Sequence, residues 1–132
     1  MRKKFLEFDG KSKEAFNTAQ LGAVLARRQE YLLRLPFDSN GADVLAYNPE
    51  TLTTIPIQVK SRLSTNPKYL GKNLYMAFPV WMSETRQSWY LVPHDTLVEL
   101  YGTDKIGWTT PHPSKPMLKK LEPFCIGSID LC

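Results

Sequence analysis

A mixed α/β domain is what the 132-residue sequence predicts, and two patterns carry that expectation. Ala15, Leu21, Val24 and Leu25 recur at helical spacing through a proline-free run, residues 11–30. Farther along, residues 54–62 alternate, with Ile55, Ile57 and Val59 on one face and Pro56, Gln58 and Lys60 on the other, the period of a half-buried strand. A chain of this length is expected to form one domain, 1–132, burying about two-thirds of its unfolded surface around a single core.

The elements follow in order. Ser12 is the candidate N-cap of the first helix, and Gly22 within it marks a close helix–sheet contact. Residues 31–35 read as a short strand closed by Pro36, residues 37–41 as a turn, and residues 42–47 as a second strand. Asn48, Pro49, Glu50 and Thr51 supply the next turn, and residues 54–62 the third strand, which Pro56 obliges to begin late, to lie at an edge or to carry a bulge. Residues 63–73 read as an ordered loop. Residues 74–80 and 88–92 read as two more strands paired with each other across a polar stretch. Pro93 to Thr96 then opens a second helix reaching Tyr101, residues 111–116 form a loop, and residues 117–121 a helical turn. The plan is an N-terminal helix, a three-stranded meander, further strands and a helix, with mainly antiparallel local pairing.

Composition narrows the functions. Lys and Arg number 17 against 13 Asp and Glu, a formal charge of +4 that suits a polyanionic partner without requiring one. No apolar run approaches the ~20 residues needed to span a bilayer, so no membrane partner is expected. The basic start Met1-Arg2-Lys3-Lys4 has no apolar segment behind it, which makes the cytoplasm the expected compartment. Cys125 and Cys132 match no zinc spacing, and a reducing compartment would keep them as thiols. His94 and His112 adjoin prolines and read as solvent-facing loop residues, and Trp81, Trp89 and Trp108 as core or interface anchors. There is no G-x-S-x-G and no phosphate-cradling glycine loop.

One constellation remains. A symmetric hairpin about the 48–54 turn would set Asp43 opposite Val59, with Gln58 and Lys60 sharing a face, so that Asp43, Gln58 and Lys60 gather at one end of the sheet. A carboxylate and an amide oxygen can share a hard cation such as Mg²⁺, and a neighbouring lysine can orient water or stabilise charge on a phosphate.

The stretch Asn40-Gly41-Ala42-Asp43-Val44-Leu45, followed by Ile57-Gln58-Val59-Lys60-Ser61, resembles the signature of the PD-(D/E)xK family of metal-dependent nucleases. Gln58 stands where an acid is usual, a variant known in a small homing endonuclease group. The resemblance covers residues 12–62 and implies a restriction-endonuclease-like fold with a helix before the hairpin. It further implies a phosphodiesterase acting on DNA with Mg²⁺, for which Mn²⁺ would substitute. Asp43 would be the chief metal ligand, Gln58 a weaker one and Lys60 the catalytic amine. For the acid that the family carries on its first helix, Glu14 is the obvious residue and Gln20 lies nearer the usual spacing. Arg62, Lys68 and Lys72 lead away from the motif where a nucleic-acid backbone would run, with Tyr69 and Tyr75 interleaved. A homodimer is expected if both strands of a duplex are cut. Each residue also has a plainer role: Asp43 as a turn cap, Gln58 and Lys60 as the wet face of a sheet, Glu14 as a first-turn acid complementing the helix dipole. The competing expectation is a non-catalytic nucleic-acid-binding or regulatory module that retains the fold.

Overall fold

The structure is a computed structural model and describes residues 9–110 and 112–131. Pro111, which opens a predicted loop, and Cys132 lie outside the described residues. The chain is α/β: helix α1 (Gly10–Arg27) packs on a six-stranded mixed sheet. The strands are β1 (Tyr31–Ser39), β2 (Ala42–Asn48), β3 (Thr53–Val59), β5 (Tyr75–Trp81), β6 (Arg86–Pro93) and β8 (Cys125–Asp130), side by side in that order. Two-residue strands β4 (Leu63–Ser64) and β7 (Thr109–Thr110) pair separately. Helices α2 (His94–Tyr101) and α3 (Lys115–Leu121) complete the main elements.

The first three strands are sequential antiparallel neighbours, as are β5 and β6. The pairing is mainly antiparallel, as expected, and the exception is β3 with β5, which run parallel, Ile57 beside Tyr75 and Val59 beside Ala77. That crossover consumes residues 60–74 and explains why the region is not simple loop: it holds β4 and a 3₁₀ turn, Pro67–Tyr69. Pro56 is accommodated because the ladder to β5 opens only at Ile57, the next residue.

Two apolar clusters sandwich the sheet. Leu21, Val24 and Leu25 of α1, all fully buried, meet Val44, Ala46, Ile57, Ala77, Trp89 and Ile129. Each buried Leu, Val or Ile of this set contributes about 1.5–3 kcal/mol relative to exposure. On the opposite face Met76, Phe78, Val80, Tyr90 and Val92 pack with Leu97 of α2 and Met117 and Leu121 of α3. No helix among the described residues is long and apolar enough to cross a membrane.

Several local expectations are revised. Asp9, not Ser12, caps α1: its carboxylate accepts from Ser12 N–H at 2.7 Å, which holds its pKa below the ordinary value. Ala15 is exposed, and the inward stripe continues through Asn17 and Thr18 instead. Gly22 makes no close approach, since a Cβ there would meet only Leu32 Cβ at 4.0 Å. The β1–β2 turn shrinks to Asn40 and Gly41, whose φ values of 54° and 90° suit a two-residue hairpin turn with the right-handed twist of its strands.

His94 overturns its solvent-facing reading. It is 1% exposed, edge-on to Tyr69 with ring centroids 5.6 Å apart. Its Nε2 accepts from Asn66 N–H at 3.1 Å, so the ring proton sits on Nδ1, which donates to Asp95 Oδ1 at 3.1 Å. Asp95 also accepts from Gly71 N–H at 3.1 Å. The pair thereby ties residues 66–71 to the start of α2. The His94 bond, with Gly71 N–H second, lowers the Asp95 pKa beneath 3.8. A depressed carboxylate stabilises the fold above its unfolded pKa, and that stability is lost as pH falls through the lower folded value. Because the Asp95 side chain is 54% exposed, the contribution is screened to below about 1 kcal/mol. Urea denaturation from pH 6 to pH 2.5 should therefore show wild type losing stability more steeply at the acid end than Asp95→Asn, the two converging at the lowest pH.

Candidate active site

The β2–β3 ladder pairs Val44 with Ile57 and Asn48 with Thr53, one residue away from the symmetric hairpin expected. Val44–Ile57 is the last pair of this ladder, so Asp43 lies just past it, next to Gln58 and Val59 of β3. Gln58 and Lys60 share a face by the two-residue period.

At this end the ladder stops and a side chain replaces it. Val59 N–H donates to Asp43 Oδ1 at 3.3 Å, while on the other flank Lys60 N–H continues the β3–β5 pairing through Ala77 carbonyl at 2.9 Å. The backbone just past Gln58 is thus held at both strand edges, and the first half of α1 crosses here. Together these elements enclose a polar cleft of about 290 Å³ lined by Glu14, Asn17, Asp43, Gln58, Val59, Lys60 and Ser61.

Of the residues singled out from sequence, Asp43, Gln58, Lys60 and Glu14 meet in this cleft. Glu14 stands on its exposed side and, because α1 begins at Gly10, lies past the first turn, which contains no acid. The dipole-complementing role is therefore not its position. Gln20, half-buried on α1, does not line the cleft. Arg62, Lys68 and Lys72 are exposed on the segment leaving the cleft, the Lys68 ammonium 5.1 Å from the centre of the Tyr69 ring. Tyr69 itself is buried in the core and Tyr75 half-buried on the α1 side, so neither is a free stacking surface. A larger groove of about 420 Å³ between α1 and β1, lined by Ala15, Ala19, Gly22, Ala26 and Leu32 among others, carries none of these groups.

Asn17 escaped the sequence reading. It lies four residues before Leu21 and seven before Val24, on the inward stripe, where an amide is a poor helix former and an unexpected core residue. That placement was the available signal. Its Oδ1 and the Oε1 of Gln58 are both buried without a hydrogen-bond partner. Buried acceptors left unsatisfied cost about 1–3 kcal/mol each and are uncommon in folded chains.

Among the described residues, those lining the cleft offer a set of oxygen ligands, the carboxylates of Asp43 and Glu14 and the amide oxygens of Asn17 and Gln58, beside the Lys60 amine and the Ser61 hydroxyl. Such a set suits a hard divalent cation, and the orphaned amide oxygens are what a cation would satisfy. The arrangement uses amides where a metal centre more often has acids, and among the described residues no three His, Cys, Asp or Glu side chains gather as a metal-binding group. Comparison of the chain with family models, curated proteins and solved structures returned no match.

Gln58→Met keeps the side-chain length and removes the orphaned oxygen. Metal-free protein carrying it should be more stable than wild type by about 1 kcal/mol in urea denaturation, because an unsatisfied acceptor leaves the interior.

Proposed function

We propose that the chain is a metal-dependent endonuclease acting on DNA, with a restriction-endonuclease-like fold of the PD-(D/E)xK kind. One observation carries the reading. Asp43, Gln58 and Lys60, the residues of the motif, line a single cleft with an acid of the first helix, Glu14, although they belong to three separate elements.

In this reading Asp43 and Gln58 hold Mg²⁺, or Mn²⁺ in its place, and Glu14 adds negative charge at the open side. When bound, the cation supplies Lewis acidity toward a phosphate oxygen and acidifies water. Asp43 is oriented for the task by Val59 N–H, which fixes one carboxylate oxygen. Lys60 donates to a phosphate oxygen or to the attacking water and offsets charge that develops during phosphoryl transfer. Its backbone is anchored to β5, so the amine starts from a rigid strand end. Arg62, Lys68 and Lys72 meet the sugar-phosphate backbone as it leaves the cleft and contribute salt-sensitive affinity. A two-fold dimer would present one cleft to each strand of a duplex.

The competing reading, a non-catalytic nucleic-acid-binding module, is favoured by a specific feature: Gln58 brings no charge, which leaves Asp43 and the exposed Glu14 as the carboxylates of the cleft among the described residues. Cleavage of supercoiled plasmid and of branched DNA, with and without Mg²⁺, separates the two. Lys60→Ala and Asp43→Ala should each abolish cleavage, reducing it at least about 100-fold, as loss of a group acting on the transition state does. Lys60→Ala should leave folding nearly intact and DNA binding in place. Gln58→Glu should retain cleavage. Wild-type protein that binds DNA but cuts no substrate under any divalent metal would establish the binding module instead.

A further inference from the structure

Two of the residues that line the cleft carry an orphaned amide oxygen, Asn17 on α1 and Gln58 on β3. Neither residue's amide NH₂ donates to the other's oxygen. Lys60, in the same cleft, donates to neither. Asn17 is 2% exposed, and its helix is pinned directly behind it by Leu21, Val24 and Leu25, each wholly buried. The side chain cannot swing to solvent for a partner without unpacking α1. A buried acceptor fixed in this way persists where something outside the chain completes it.

We propose that Asn17 is the ligand that α1 contributes to the cation site, its side-chain oxygen acting with that of Gln58 beside the Asp43 carboxylate. The inference rests on the metal-dependent reading above and changes it in one respect: the helix supplies a neutral amide from the buried wall, and Glu14 stands at the entrance. A centre built from one inner carboxylate and two amides carries little negative charge. It therefore holds a divalent cation weakly alone and more tightly when an anionic phosphate adds its own oxygens, as Mg²⁺ sites that share their ion with substrate do. Binding of metal and of phosphodiester would in this way be coupled.

The test compares wild type, Asn17→Leu and Asn17→Asp by calorimetric titration with MnCl₂ and by melting temperature with and without Mn²⁺. Leu shares the branched heavy-atom skeleton of Asn and suits the buried stripe. Asn17→Leu should bind Mn²⁺ at least tenfold more weakly than wild type while melting ~2–8 °C higher without metal, the shift expected when a strained or unsatisfied site is relieved. Asn17→Asp should do the reverse: a lowered metal-free melting temperature from a buried carboxylate, restored by Mn²⁺, and Mn²⁺ affinity above that of wild type. A purely structural role for Asn17 would lower stability in both variants and leave affinity unmoved. Wild-type affinity in Asn17→Leu, or no gain in Asn17→Asp, overturns the assignment of Asn17 and leaves the nuclease reading intact. Wild type that takes up no Mn²⁺, alone or with a short single-stranded oligonucleotide present, overturns the metal site altogether and this inference with it.

Discussion

The pairing of Val44 with Ile57 is the constraint on which the rest depends. It places Val44, Ala46 and Ile57 on the face that α1 covers, where Leu21, Val24 and Leu25 bury against them. In the same stroke it brings Asp43, just past the last pair, beside Gln58 and within reach of Val59 N–H at the open end of the ladder. A shift of one residue would turn the apolar set toward the wrong layer and carry the Asp43 carboxylate away from that N–H. Core and cleft are therefore specified by a single register, and the hydrophobic cost of losing the first protects the geometry of the second.

The register is itself held from several sides. Asn48 caps the β2–β3 turn, its Oδ1 accepting from Glu50 and Thr51 N–H, and the short loop leaves little slack. At the other end Gly41 lies against the Tyr69 ring and Leu74, so close that a Cβ would stand 2.9 Å from the ring, which locks the start of β2 to the crossover segment. His94 and Asp95 fasten that segment to α2 through Asn66 and Gly71. The cleft thus sits between a covalently short hairpin and a crossover tied down at three points. Rigid supports of this kind are what allow buried amide oxygens to remain unpaired, since nothing nearby can relax toward them.

Much of this was legible in the sequence because it was periodic. The α1 stripe, apart from the exposed Ala15, and the alternation of Ile55, Ile57 and Val59 identified the helix, the hairpin within one residue of its register and most inward faces, and the Asp43, Gln58 and Lys60 spacing pointed to three of the residues that line the cleft. The parallel β3–β5 pairing was not legible, since a crossover of irregular backbone has no periodicity to read. Strand β8 was missed for a related reason: Cys-Ile-Gly-Ser-Ile-Asp is short, carries a glycine and bulges at Ile126, so its strand character comes from pairing with β6 and not from local propensity. His94 was misplaced because its burial is decided by Asn66 and Tyr69, both distant in the chain from α2. Asn17 was passed over since an amide on an apolar stripe reads as an interruption when only the apolar residues are counted.

The central claim is that Asp43, Gln58 and Asn17 converge on one divalent cation. Diffraction from crystals soaked in Mn²⁺, recorded near the manganese absorption edge, tests it most directly. The account predicts a single anomalous peak in the cleft, within coordination distance of the Asp43 carboxylate and of the side-chain oxygens of Gln58 and Asn17. A cleft without a peak at saturating Mn²⁺, or a peak elsewhere with the Asn17 and Gln58 oxygens bonded only to protein atoms, would contradict it.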